Sequence, residues 1–89
     1  MPRPSIGSSP AVTVYTVPNC PDCHALKAWF AERDIAYAGR DLRQPGVAEE
    51  AVARYGVRVA PITVVGAQFF YGAFVDQRPR LVAALGVTA

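Results

Sequence analysis

Two cysteines occur in this chain, and two residues separate them: Cys20-Pro21-Asp22-Cys23. Such a pair can exchange a disulfide with a partner, supply two ligands to a metal or, when a histidine follows as His24 does here, take a haem. The run Val12-Thr13-Val14-Tyr15-Thr16 upstream predicts a strand, and Ala25 to Arg33 downstream predicts a helix. A C-x-x-C pair at a strand-to-helix turn is the sequence form of a thiol–disulfide redox site. A helix N-terminus carries unpaired N–H groups and a partial positive charge. It therefore stabilises a thiolate and makes the sulfur reactive near neutral pH. The second cysteine, one turn on, is close enough to close a disulfide with the first. Pro21 suits the first helical turn, where a missing N–H costs nothing. Asp22 also favours a helix start, although its charge opposes thiolate formation at Cys20. A charged His24 would help the thiolate, and an exposed imidazole there also needs no function.

The other chemistries fit less well. A c-type haem wants a second axial ligand, often Met or His, and the chain has only Met1 and His24. A structural zinc wants four ligands, and one chain offers Cys20, Cys23 and His24. The expectation is no metal and no cofactor. A metal or iron–sulfur cluster shared between two chains stands as the alternative, beside a non-catalytic protein-binding module.

At 89 residues, 52% of them hydrophobic, the chain suffices for one small packed domain. The net charge of +2, from scattered basic residues, argues against a nucleic-acid partner. Residues 1–10 show no apolar signal region, and no window approaches the ~18 apolar residues of a membrane span. The expected location is therefore cytoplasmic and away from membranes. There, a lone cysteine pair is more often catalytic or metal-binding than a structural staple.

The elements that must position the pair follow in order. Residues 1–10 hold three prolines and three serines and predict a disordered tail; 11–89 are the domain. A strand at 11–16 precedes a helix at 21–33 whose apolar face is Ala25, Leu26, Trp29 and Phe30. A strand at 36–41 leads through Gln44-Pro45-Gly46 to a helix at 47–55. Its face is Ala48, Ala51, Val52 and Tyr55, with Glu50 and Arg54 as an i,i+4 pair and Gly56 closing it. Ile62 to Val65 reads as a buried strand, turning at Gly66-Ala67 into a partner strand at 68–71. Gly72 permits a close approach or a bulge. Asp76 reads as the N-cap of a last helix to Leu85, with Pro79 in its first turn. The order is β-α-β-α-β-β-α, with a parallel first crossover and an antiparallel closing hairpin, so the sheet is mixed.

Tyr15-Thr16 leading to Cys20-Pro21-Asp22-Cys23, Val59-Ala60-Pro61 before a β-branched strand, and Gly72 before the last helix together resemble glutaredoxins. More narrowly, they resemble the glutaredoxin-like hydrogen donors of ribonucleotide reductase. The likeness spans about residues 11–86. It implies an α/β thioredoxin-like fold: a four-stranded sheet with helices on both faces. It implies that Cys20 is the nucleophile and Cys23 the resolving thiol. It implies a cis Pro61 facing the cysteines, with Pro21, Asp22, Ala60, Pro61 and Gly72 contacting substrate. The backbone of Ala60 would then be free to pair with an extended substrate segment. The implied partner is a disulfide-bearing protein, ribonucleotide reductase among the candidates, and the domain is expected to act as a monomer.

Two departures bear on the reductant. Val17 stands where glutaredoxins that use glutathione usually carry Lys. Tyr71-Gly72-Ala73-Phe74-Val75-Asp76 keeps one glycine and one acid where they usually have a Gly-Gly and an acidic pair. The expected reductant is therefore a thioredoxin reductase, with glutathione or another low-molecular-weight thiol as alternatives. Arg58 is the residue that could substitute as a carboxylate clamp.

Overall fold

The computed structural model describes residues 11–87. The tail expected at 1–10 and the last two residues lie outside the described residues.

The elements are β1 (Val12–Thr16), α1 (Pro21–Glu32), β2 (Ala38–Asp41), α2 (Val47–Tyr55), β3 (Ile62–Val65), β4 (Gln68–Tyr71) and α3 (Phe74–Leu85). They form one mixed sheet of order β2-β1-β3-β4. β1 runs parallel to β2, with Thr16 opposite Asp41, and antiparallel to β3, with Tyr15 opposite Ile62. β3 and β4 form the expected hairpin.

Successive strand side chains point to opposite faces, and this period sorts the core into two layers. Val12 and Val14 of β1 and Val65 of β3 pack against Leu26, Trp29 and Phe30 of α1 and Leu81 of α3. Tyr15, Ile62 and Val64 pack with Val47 and Ala51 of α2. Helices thus cover both faces, as in a thioredoxin fold. Each fully buried side chain of the size of Phe30 or Leu26 stabilises the fold by ~1.5–3 kcal/mol.

The structure corrects three local expectations and refines a fourth. Helix α3 begins at Phe74, with Ala73 at the N-cap making no side-chain cap bond. Asp76 is therefore a first-turn residue and not the cap. The acceptor for the Phe74 N–H comes instead from Asp22, at 3.1 Å. Pro79 then lies inside the helix beyond its first turn. It offers no N–H to the Val75 carbonyl, but Val75 is 71% exposed, and solvent can satisfy a carbonyl on that side. On α2 the buried stripe is Val47 and Ala51, while Ala48 is exposed and Val52 half-buried, because these two line a groove facing the segment before β3. Glu50 feels Arg54 as a favourable charge, as expected, but its hydrogen bonds go to Arg40 on β2 and Tyr15 on β1.

Candidate active site

Strand β1 ends at Thr16, and the turn at Pro18-Asn19 swings the chain into α1. Asn19 has a φ of 58°, a left-handed conformation that Asn tolerates better than most residues. Cys20 follows in extended conformation as the N-cap of α1, and its Sγ accepts a hydrogen bond from the Cys23 N–H at 3.1 Å. The sulfur thus stands where a capping Ser or Asp oxygen would stand. That donor, with the helix dipole behind it, favours an anionic sulfur. Cys20 and Cys23 are joined by a disulfide, with Cα atoms 5.2 Å apart. Cys23 is 1% exposed, and Cys20 is the more open of the two.

The sheet order decides what surrounds the pair. The C-terminal end of β1 lies between the C-terminal end of β2 and the N-terminal end of β3. The segment entering β3 carries a cis Ala60–Pro61 peptide bond, and Pro61 is buried. Its carbonyl accepts from Gln77 Nε2 at 2.9 Å. The same amide donates to the Gly72 carbonyl at 2.9 Å. Gly72 has a φ of 102°, which side-chain-bearing residues rarely adopt. The hydroxyl of Thr63 donates to Gln77 Oε1 at 2.7 Å. Gln77 is 1% exposed, and both ends of its amide are engaged. It clasps the start of β3, the end of β4 and α3 at one point.

Sequence reasoning missed Gln77, although a signal existed. Gln77 and Leu81 are four apart on the buried stripe of α3, and a lone polar residue in such a stripe needs partners. Asp22 has a structural task that sequence did not reveal. Its bond to the Phe74 N–H joins the start of α1 to the start of α3. Of the expected site residues, Pro61 and Gly72 are brought together by Gln77, and Asp22 is tied to the segment just after Gly72. Pro21 is exposed at the first helical position. Ala60 is half-buried and lines a cavity of about 540 Å3 with Val17, Leu42, Val52 and Arg58. His24 is exposed, and its backbone N–H donates to the Cys20 carbonyl at 3.0 Å. Among the described residues, no group of three or more His, Cys, Asp or Glu side chains is placed to hold a metal ion.

Beneath this surface, a polar cluster braces β1, β2 and α2. The Tyr15 hydroxyl donates to Glu50 Oε2, and Arg40 Nη2 donates to Glu50 Oε1 at 2.6 Å. Burial, followed by the hydrogen bond to Glu50, pushes the Tyr15 phenol up to about 12. The Tyr15 hydrogen bond and Arg40 hold the Glu50 carboxyl below its usual range.

The cysteine pair opens α1 after a strand, and the Ala60–Pro61 bond is cis, as the resemblance implied. The glutaredoxin family model matches residues 12–70. The chain belongs to the glutaredoxin family. It is 35% identical over 51 residues to the glutaredoxin-like protein NrdH of Lactococcus lactis, covering 57% of this chain and 71% of that protein. Among solved structures it is similar to the glutaredoxin-like NrdH-redoxin of Escherichia coli, with 28% identity, a TM-score of 0.66, and 80% and 93% of the two chains covered. It is also similar to a glutaredoxin of Brucella melitensis, with 25% identity, a TM-score of 0.68, and 94% and 99% covered. Family and cysteine pair together make this glutaredoxin domain a thiol–disulfide oxidoreductase that works as a dithiol electron donor. No helix among the described residues is long and apolar enough to cross a membrane.

Proposed function

We propose that this glutaredoxin domain reduces disulfides of partner proteins, with Cys20 as nucleophile and Cys23 as resolving thiol. The observation that carries the assignment is the contrast between the two residues: Cys20 is half-buried at the helix cap and Cys23 is fully buried one turn on. The Cys20 thiolate attacks one sulfur of the substrate disulfide. A mixed disulfide forms, and the released substrate thiolate takes a proton. The Cys23 thiolate, having given up its own proton, attacks the Cys20 sulfur. The mixed disulfide breaks, the second substrate thiolate leaves and is protonated, and the Cys20–Cys23 disulfide remains. Two electrons and two protons have passed to the substrate, and an external reductant must return them. Pro21, Asp22, Ala60, Pro61 and Gly72 form the substrate-contacting rim in this reading, with the Ala60 backbone pairing with an extended segment.

A protein partner is favoured by the surface. Among the described residues the exposed large apolar side chains are Val59, Phe69, Tyr71 and Val75. Val59 is next to Ala60, and Tyr71 and Val75 bracket the Gly72 segment. Apolar anchors of this kind suit a protein interface. The likeness to NrdH proteins makes ribonucleotide reductase the leading candidate partner. For the reductant, a thioredoxin reductase is favoured over glutathione. Among the described residues, the cavity beside Ala60 is lined by Val17 and one cation, Arg58, together with Glu49, which is a poor cradle for a charged tripeptide. The E. coli NrdH-redoxin is itself described as having a thioredoxin-like activity profile. The domain acts as a monomer in the cytoplasm in this reading, since one chain supplies both cysteines and the proline loop and the cycle needs a reducing compartment.

The test couples the protein to NADPH through either thioredoxin reductase or glutathione with its reductase. Cys20→Ser is expected to abolish turnover, and Cys23→Ser to trap a mixed disulfide. Trapping by Cys20→Ser alone would exchange the two roles. Efficient reduction by glutathione with no response to thioredoxin reductase would overturn the reductant assignment.

A further inference from the structure

The redox pair has two unlike flanks. In the order β2-β1-β3-β4 the end of β1 has the end of β2 on one side, and the start of β3 and end of β4 on the other. The β3–β4 flank carries exposed Val59, Tyr71 and Val75. The β2 flank holds a cavity of about 330 Å3 that reaches Cys23; among the described residues, Lys27, Arg40, Arg43 and His24 line it with one carboxylate, Asp41. Glu50 already holds Arg40, and Asp41 holds Arg43 at 2.9 Å. Lys27 makes no hydrogen bond or ion pair among the described residues and meets Asp41 only as a longer-range charge. A concave surface with excess positive charge concentrates anions beside the sulfurs.

We propose that this cavity receives an acidic side chain of the partner protein, carried next to the disulfide to be reduced. The bound segment then crosses Cys20 with apolar residues toward Tyr71 and Val75 and a carboxylate toward Lys27 and Arg43. This rests on the reading of a protein disulfide as substrate, and it adds the charge and direction of the segment.

The test uses two synthetic disulfide peptides that differ only in glutamates or glutamines flanking the cysteines. Twins with alanine in place of cysteine report binding alone, titrated into the full oxidised chain and followed by amide shifts. One new exposed ion pair, to Lys27, is expected to make the acidic twin bind about twofold to fivefold tighter at low salt. The preference should fall toward parity at about 0.5 M salt, where the Debye length is only a few ångströms. Lys27→Gln with Arg43→Gln, or Lys27→Gln alone, should reduce it, and Arg58→Gln should not. Equal binding of the twins, a preference kept by the double variant, or one lost in Arg58→Gln would overturn the proposal. So would glutathione shifting the Lys27 and Arg43 signals while the acidic twin leaves them in place, which would assign the cavity to a small thiol. Turnover of the disulfide forms is read separately. If neither is reduced while the acidic preference holds, the catalytic reading fails and the docking site stands.

Discussion

Cys20 caps a helix and carries the reactive sulfur, and both tasks use the same N–H from Cys23. A sulfur is a weak acceptor when neutral and a better one when charged, so the capping bond favours the thiolate. Asp22, two residues on, caps a different helix. Its Oδ1 accepts from the Phe74 N–H at 3.1 Å, a donor that the Ala73 N-cap cannot serve. Asp22→Ala is therefore expected to cost about 1 kcal/mol, the usual worth of a lost cap. The Phe74 amide should exchange faster with solvent, while Asp22→Asn, which keeps an acceptor, should lose less. Urea denaturation and amide exchange check this; an unchanged Phe74 amide would show that the bond carries no weight.

Two polar clusters tie together elements that the hydrophobic layers also hold. Gln77 joins α3 to the start of β3 and the end of β4. Gln77→Leu would leave the Pro61 and Gly72 carbonyls and the Thr63 hydroxyl without this partner inside the protein. An unsatisfied buried group costs ~1–3 kcal/mol, so a loss of about that size is expected in denaturant, with slower reduction of a protein disulfide as the proline loop loosens. The second cluster, Tyr15 with Glu50 and Arg40, makes stability depend on pH at both ends. The Tyr15 phenol is raised from 10.0 to about 12 in the fold, so its contribution is whole below pH 10 and is lost as pH rises toward 12. The Glu50 carboxyl is held below 4.5, so its contribution is present above that value and is lost as pH falls through its folded pKa. Denaturation midpoints across pH should show both losses. Tyr15→Phe should remove the alkaline one and leave an acid limb from the Arg40 pair.

At the scale of the molecule, one sheet separates the two helical layers and brings its strand ends to the redox pair. β1 is an interior strand, so its C-terminal end has a neighbour on each side, and the cysteines inherit both neighbours. The apolar side of that rim is separable from the core. Tyr71 is 55% exposed and its ring stacks on Phe69, itself exposed, so Tyr71→Ser should cost only about 1 kcal/mol of stability. It should raise KM for a protein disulfide several-fold and affect a small symmetrical disulfide far less. Equal effects on both substrates would remove the rim from partner binding.

The sequence by itself determined the order of elements, the placing of Cys20-x-x-Cys23 at a strand-to-helix turn, and the hairpin that ends the sheet. These are encoded within a few residues: the period of apolar side chains, β-branching in Ile62–Val65, and a spacing of three that fits one helical turn. Local reading placed the α3 cap at Asp76 and paired Glu50 with Arg54, because those partners lie within one turn. Arg54 does act on Glu50 as a charge, but only the tertiary structure decided the hydrogen bonds. The Phe74 N–H found its acceptor 52 residues away, and Glu50 found Tyr15, 35 residues away, and Arg40 on neighbouring strands. A hydrogen bond of a half-buried group goes to the partner that packing brings within reach, and strand order sets that partner. Gln77 follows the same rule: its stripe marked it as buried, but which carbonyls it would hold depended on where β3 and β4 came to lie against α3.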